Sequence, residues 1–167
     1  MEAHPGAGKT TALDRLSRLL RDAGIPLRGF LTKELRDGRR RVGFEIESFD
    51  GERAVLAHVD LAGPPRVGRY GVDLEAFEQV SLPAIDEPPQ DCVIVIDELG
   101  KMELASMPFR DAVVGLFDEP APIVASVLAS SHPLTDALKR RPDVERIRLT
   151  RGSRDRLPVE LAARLSG

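Results

Sequence analysis

Ala3-His4-Pro5-Gly6-Ala7-Gly8-Lys9-Thr10-Thr11 stands almost at the start of the chain and leads directly into a segment of helical periodicity. It matches the phosphate-loop pattern G-x-x-x-x-G-K-[ST] at every fixed position except the first, where Ala3 replaces glycine. Gly6 and Gly8 let the backbone wrap closely round an anion, so that the amides of Ala7, Gly8, Lys9 and Thr10 point inward at a helix start. His4, Pro5 and Thr11 complete the stretch expected around the phosphates. Lys9 can set its ammonium between the outer phosphates, and the Thr10 hydroxyl can ligate a bridging magnesium ion. From Thr11 to Ala23 the apolar residues Ala12, Leu13, Leu16, Leu19, Leu20 and Ala23 recur at helical spacing, and Gly24 with Pro26 supplies the stop.

A second anchor lies far downstream. Cys92 to Ile96 is a continuous apolar run that ends in Asp97-Glu98, as expected for a strand buried on both faces with its carboxyl end at a functional edge. An aspartate in that position holds the magnesium shell, which assigns Asp97 to the metal together with Thr10. The neighbouring Glu98 can accept a hydrogen bond from water and aim it at the terminal phosphorus. With Lys9 stabilising charge on the phosphate, Glu98 and Lys9 are the expected catalytic pair, and the chemistry expected is hydrolysis. The alternatives are a nucleoside or polynucleotide kinase, and a nucleotide-binding protein with degenerate catalysis.

Between the anchors, three extended segments, Arg28 to Leu35, Arg41 to Ser48 and Arg53 to Val59, are separated by the turn dipeptides Asp37-Gly38 and Asp50-Gly51 and predict an antiparallel meander. The Pro- and Gly-rich stretch Ala62 to Pro89 predicts one or two short helices around Leu74 to Phe77 and Pro83 to Ile85. Beyond the acidic pair the pattern predicts a helix over Met107 to Phe117, a buried strand over Ile123 to Leu128 and a helix over Leu134 to Arg140. A third strand over Val144 to Leu149 and a closing helix over Val159 to Leu165 follow. The alternation implies an α/β fold, a mainly parallel sheet flanked by helices with the antiparallel meander attached.

Composition narrows the class. The 167 residues fit a single domain, 1–167, and 42% hydrophobic with 31% charged residues is the balance of a globular chain. A net charge of -3 makes nucleic acid an unlikely partner. The single cysteine, Cys92, forms no internal disulfide and reads as core, and three scattered histidines, His4, His58 and His132, have no zinc-type spacing. No apolar run reaches the roughly 20 residues that cross a bilayer, so a cytoplasmic protein without membrane contact, acting as a monomer, is expected. Arg69 is a candidate arginine finger. His132 lies on the edge where the terminal phosphate is sensed, or caps a helix. The Arg36, Arg39, Arg40, Arg41 run reads as a solvated hairpin tip.

With Gly6-Ala7-Gly8-Lys9-Thr10-Thr11 and Val93-Ile94-Val95-Ile96-Asp97-Glu98-Leu99-Gly100-Lys101-Met102-Glu103-Leu104 both in view, the chain resembles the THEP-type nucleoside-triphosphatase family. The second string is the more specific. The resemblance continues through Gly29-Phe30-Leu31-Thr32, Arg41-Val42-Gly43-Phe44, Arg66-Val67-Gly68-Arg69-Tyr70-Gly71-Val72 and Arg141-Pro142-Asp143-Val144. It implies a RecA-like P-loop fold and a slow, magnesium-dependent hydrolase that takes several nucleoside triphosphates (ATP, GTP, CTP, UTP) to the diphosphate and phosphate. It places Gly8, Lys9 and Thr10 at the phosphates and metal, Asp97 on the metal side and Glu98 at the attacking water. Lys101 would reach a phosphate or pair with Glu98 or Glu103. A base-side segment is similar to Thr150-Arg151-Gly152-Ser153-Arg154-Asp155, with Arg154 stacking on the base. Ser153 stands where the family pattern has Asn. Two further departures are Ala3 and the strand leading into the loop, which is expected to be missing, so that the chain reads as shortened at its amino terminus.

Overall fold

The structure, a computed structural model, describes residues 1–3, 6–128 and 130–167. Its centre is the apolar run after Cys92, which forms β7 (Val93–Leu99). Side chains alternate across a strand, and here both faces are covered. Val93 and Val95 enter one apolar cluster with Leu13, Leu16, Leu20 and Leu161 from α1 (Lys9–Asp22) and α5 (Leu157–Leu165). Ile94 and Ile96 enter the other, with Phe77 and Phe109 from α2 (Leu74–Ile85) and α3 (Met107–Leu116). Phe77 packs edge-on against Phe109 at 4.9 Å between ring centroids and against Phe30 at 5.9 Å. Full burial of each such side chain stabilises the fold by about 1.5–3 kcal/mol, so the sandwich on β7 anchors the acidic pair that follows it.

The sheet has eight strands in the order β1-β8-β7-β2-β3-β4-β6-β5. β1 (Glu2–Ala3), β8 (Ile123–Leu128), β7 and β2 (Leu27–Asp37) run parallel. β3 (Arg40–Ser48), β4 (Arg53–His58), β6 (Tyr70–Val72) and β5 (Arg66–Val67) continue it antiparallel. The predicted meander is therefore part of the main sheet. β2 serves both halves because its first residues pair β7 from Leu27 to Phe30, while the rest runs on against β3.

The Ala62 to Pro89 stretch differs from expectation in two ways. It contributes the two edge strands β5 and β6, and it holds one continuous helix, α2, with Pro83 inside it. Asp73 caps that helix by accepting from the Ala76 amide at 2.9 Å. Arg28 donates to the Pro83 carbonyl at 2.6 Å, tying the last turn to β2. The helix over 134–140 is shorter than predicted, α4 (Pro133–Leu138).

The strand ahead of the loop is short rather than missing. Glu2–Ala3 pairs β8 in parallel, Glu2 against Val127 and Ala3 against Leu128. Its other edge faces Val144 to Leu149, the predicted third strand, which forms only an isolated bridge, Glu2 to Arg148. The physical reason is that a strand needs a neighbour along its length. Two residues of β1 offer two bonds, the Glu2 amide to the Ile147 carbonyl at 2.8 Å and the Leu149 amide to the Glu2 carbonyl at 2.9 Å. Beside them a cavity of about 410 Å³ is lined by Ile123, Val124, Leu138, Ile147 and Leu161. Side chains compensate for the short pairing: the Glu2 carboxylate meets Lys139 at 3.3 Å and Arg146 at 3.1 Å.

Candidate active site

The carboxyl ends of β7 and β8, the middle of β2 and the first turn of α1 converge on Asp97. α1 starts at Lys9 after Gly8, whose φ of 92° lies in the left-handed region where glycine is at ease. Among the described residues no side chain caps that helix start, and no acid sits in its first turn. Its first amides are therefore open to an anion, which the positive end of a 14-residue helix favours. Thr11, on the same turn, is exposed. His4 and Pro5 lie outside the described residues.

Asp97 is the hub. Its carboxylate is 1% exposed and accepts three hydroxyls. Thr10 donates to Oδ2 at 2.5 Å, Ser126 of β8 to Oδ1 at 2.6 Å and Thr32 of β2 to Oδ2 at 3.4 Å. Burial pushes the Asp97 pKa above the usual carboxylate range, against the hydroxyls and the nearby Lys9, which favour the anion. Glu98, next along β7, is paired with Lys9 at 3.2 Å between Oε2 and Nζ. Burial raises its pKa too, with Lys9 opposing and the Asp97 charge adding to the rise.

The donor set suits a magnesium ion. The Thr10 hydroxyl and the Asp97 carboxylate present hard oxygens side by side at the open end of the loop, and a buried carboxylate held chiefly by hydroxyls has charge to give to a cation. Among the described residues there is no group of three or more His, Cys, Asp or Glu that could hold a metal ion by itself.

Beyond these residues the structure brings in Arg154. A Cβ placed on Gly8 would lie 3.6 Å from Arg154 Cδ, so the segment 150–156 leans over the phosphate loop. Ser153 folds that segment onto itself, accepting from the Thr150 amide at 3.0 Å.

The chain was compared with known proteins. Residues 1–162 match the model of the NTPase family. The chain belongs to that family. It is 41% identical over 158 residues to the nucleoside-triphosphatase THEP1 of Thermotoga maritima, covering 94% of this chain and 88% of the relative. Against the human cancer-related nucleoside-triphosphatase it is 38% identical over 167 residues, covering 92% and 88%. Its structure matches the crystal structure of THEP1 from Aquifex aeolicus with a TM-score of 0.87 at 31% identity, over 98% of this chain and 96% of that one. It matches the solution structure of a human cancer-related nucleoside triphosphatase at 0.84, 36%, 98% and 95%.

Arg69 sits at the β5–β6 turn, four strands from β7, and donates to the Tyr70 hydroxyl at 3.0 Å and to the Arg41 carbonyl. That is a structural clasp, and it leaves the guanidinium far from Asp97. His132 caps α4, its Nδ1 accepting from the Leu134 amide at 3.3 Å. Lys101 is exposed and forms no ion pair among the described residues, because Lys9 takes Glu98. His58 accepts from the Asp60 amide at 3.2 Å. Cys92 is a buried free thiol just ahead of β7. Among the described residues no helix is long and apolar enough to cross a membrane.

Sequence reasoning missed Ser126 and gave no role to Thr32. Both are hydroxyl residues on the strands that flank β7, Ser126 toward the end of β8 and Thr32 just past the stretch of β2 that pairs with β7, and that position is the signal that singles them out. It also gave Glu103 no role beyond that of a partner for Lys101, although Glu103 is 4% exposed.

Proposed function

We propose that this chain hydrolyses nucleoside 5'-triphosphates, ATP and GTP among them with little choice of base, to the diphosphate and phosphate in a magnesium-dependent reaction. The observation that carries the reading is the contact of the two anchors: Thr10 with Asp97 at 2.5 Å and Lys9 with Glu98 at 3.2 Å join the phosphate loop to the acidic strand end. The names of the relatives, nucleoside-triphosphatases, support it.

In this reading the amides of Ala7 to Thr10 and the Lys9 ammonium hold the phosphates, and Lys9 stabilises the charge that grows on the terminal oxygens. Thr10 and Asp97 would hold magnesium, which when bound neutralises phosphate charge. Glu98 accepts a proton or hydrogen bond from water and directs its oxygen at the terminal phosphorus, displacing the diphosphate. Arg154 lies over the loop where it can stack on the base, a contact that reads the base face and tolerates all four bases.

Phosphate release from each of ATP, GTP, CTP and UTP, with and without magnesium, tests the reading. Release from all four that stops in EDTA is expected. Diphosphate that forms only when an acceptor alcohol is added, with the phosphoryl group on that alcohol and none released as free phosphate, would assign the chain to the kinases instead.

A further inference from the structure

Glu103 takes no part in the reaction as described, yet it stands beside it. It opens the short 3-10 turn Glu103–Ala105 after β7 and is 4% exposed. The charged side chains that act on it are Glu98 and Asp97, both carboxylates, and it joins no ion pair among the described residues. On the α2 side, Glu78 is already taken by the Ser106 hydroxyl at 2.6 Å. Burial first, and then the Glu98 charge, push the Glu103 pKa up to about 8 against the backbone amides of Glu103 and Gly100, which favour the anion, so near neutral pH its carboxyl keeps its proton and is a donor. A leucine or methionine would fill this space at lower cost than a carboxyl facing two others.

Geometry shows what the carboxyl faces. A Cβ built on Gly100 would lie 2.7 Å from Glu98 Oε1 and 2.8 Å from Glu103 Oε2. Both side chains therefore converge on the space that the missing Gly100 side chain leaves free. The other oxygen of Glu98, Oε2, is the one that Lys9 holds. When Lys9 turns to a phosphate, Glu98 loses that partner, and the support that remains is on the Gly100 side.

We propose that Glu103 is a positioning residue for hydrolysis: as a neutral carboxyl it hydrogen-bonds Glu98 across Gly100 and keeps it aimed at the attacking water once Lys9 has moved to the phosphates. The proposal rests on Glu98 directing the water. Gly100 is part of the device, because any side chain there pushes the two carboxyls apart.

The test measures kcat and KM for phosphate release from magnesium ATP with Glu103→Leu, Glu103→Gln, Gly100→Ala and Glu98→Gln, together with the melting temperature of each. Glu103→Leu and Gly100→Ala should lower kcat by roughly tenfold or more and leave KM within about twofold, since small misplacements near the reacting atoms cost this much. Gly100→Ala meets no backbone, only the two carboxyl ends and Glu98 Cγ at 3.1 Å, so it is expected to fold even if Glu103→Leu does not, and its melting temperature checks this. Glu103→Gln keeps a neutral donor and should recover most of the loss, without the decline in kcat that the parent shows as Glu103 ionises above about pH 8. Parent kcat in Gly100→Ala, or a rise in KM that accounts for the loss, overturns the role of Glu103. Parent turnover in Glu98→Gln overturns the hydrolytic reading itself, and the positioning role falls with it.

Discussion

Lys9 Nζ lies 3.2 Å from Glu98 Oε2, with the two side chains 10% and 22% exposed, so the cation of the phosphate loop and the carboxylate beside the expected water neutralise each other before substrate arrives. A triphosphate competes for Lys9 and frees Glu98 to act. The two residues then separate binding from chemistry. Lys9→Ala should weaken the binding of a fluorescent triphosphate analogue by roughly tenfold or more and abolish turnover. Glu98→Gln should bind within about threefold of the parent and lose at least roughly a hundredfold in kcat, the usual scale for a lost general base. Unchanged affinity in Lys9→Ala would remove Lys9 from the phosphates.

Asp97 depends on Ser126 and Thr10 in different ways. Ser126 satisfies Oδ1 from β8 at 2.6 Å, on the buried side. Ser126→Ala strips a donor from a buried carboxylate and should cost about 1–3 kcal/mol, read by urea unfolding. Thr10 donates from the loop side, where the ion would bind. Thr10→Val should raise the magnesium concentration for half-maximal turnover by roughly tenfold while changing stability less than Ser126→Ala. Equal magnesium requirements in Thr10→Val and the parent would exclude Thr10 as a ligand.

The two anchors and β7 are plain in the sequence because each is local: a glycine pattern before a helical period, and an apolar run before an acid pair. Lys9 against Glu98 and Thr10 against Asp97 follow once those segments are neighbours. The hidden parts are those set by distant pairing. Val144 to Leu149 has the composition of a strand but only a bridge at Arg148, because the neighbouring β1 spans just Glu2–Ala3. Ser126 and Thr32 look like any strand hydroxyls until the order β8-β7-β2 puts them on either side of Asp97. Arg69 carries a sequence suggestive of a finger, and only the sheet order shows it bound to Tyr70 four strands away.

Glu2 holds the short β1 from both sides, through Lys139 at 3.3 Å and Arg146 at 3.1 Å. Arg146 is largely exposed and so contributes little, whereas Lys139 is 13% exposed and keeps only the longer contact with Asp136, at 3.9 Å, when Glu2 is removed. Glu2→Ala should destabilise the chain by about 1–2 kcal/mol and weaken nucleotide binding by roughly threefold, because β1 leads into the phosphate loop. Lys139→Met with Glu2→Ala should recover part of the stability by removing an ammonium left with only the long Asp136 contact. A fully additive double variant would show that the pair does not tie down β1.

Glu103 makes a prediction for stability that is separate from turnover. Its folded pKa of about 8 lies above the ordinary value of 4.5, so between these pH values the folded state holds a proton that the unfolded chain has lost. Folding stability from this group is fully present below pH 4.5 and is lost as pH rises toward 8. With about 1.4 kcal/mol per pKa unit, the loss is on the order of 4–5 kcal/mol across the window. Glu103→Gln holds no such proton. Its stability relative to the parent should therefore climb between pH 5 and pH 8 by at least about 2 kcal/mol, since Asp97 and Glu98 titrate in both proteins and largely cancel. Urea unfolding of the two proteins at these pH values measures the difference directly. A constant difference would mean that Glu103 is already ionised in the folded protein, and the carboxyl beside Glu98 would then repel it rather than hold it.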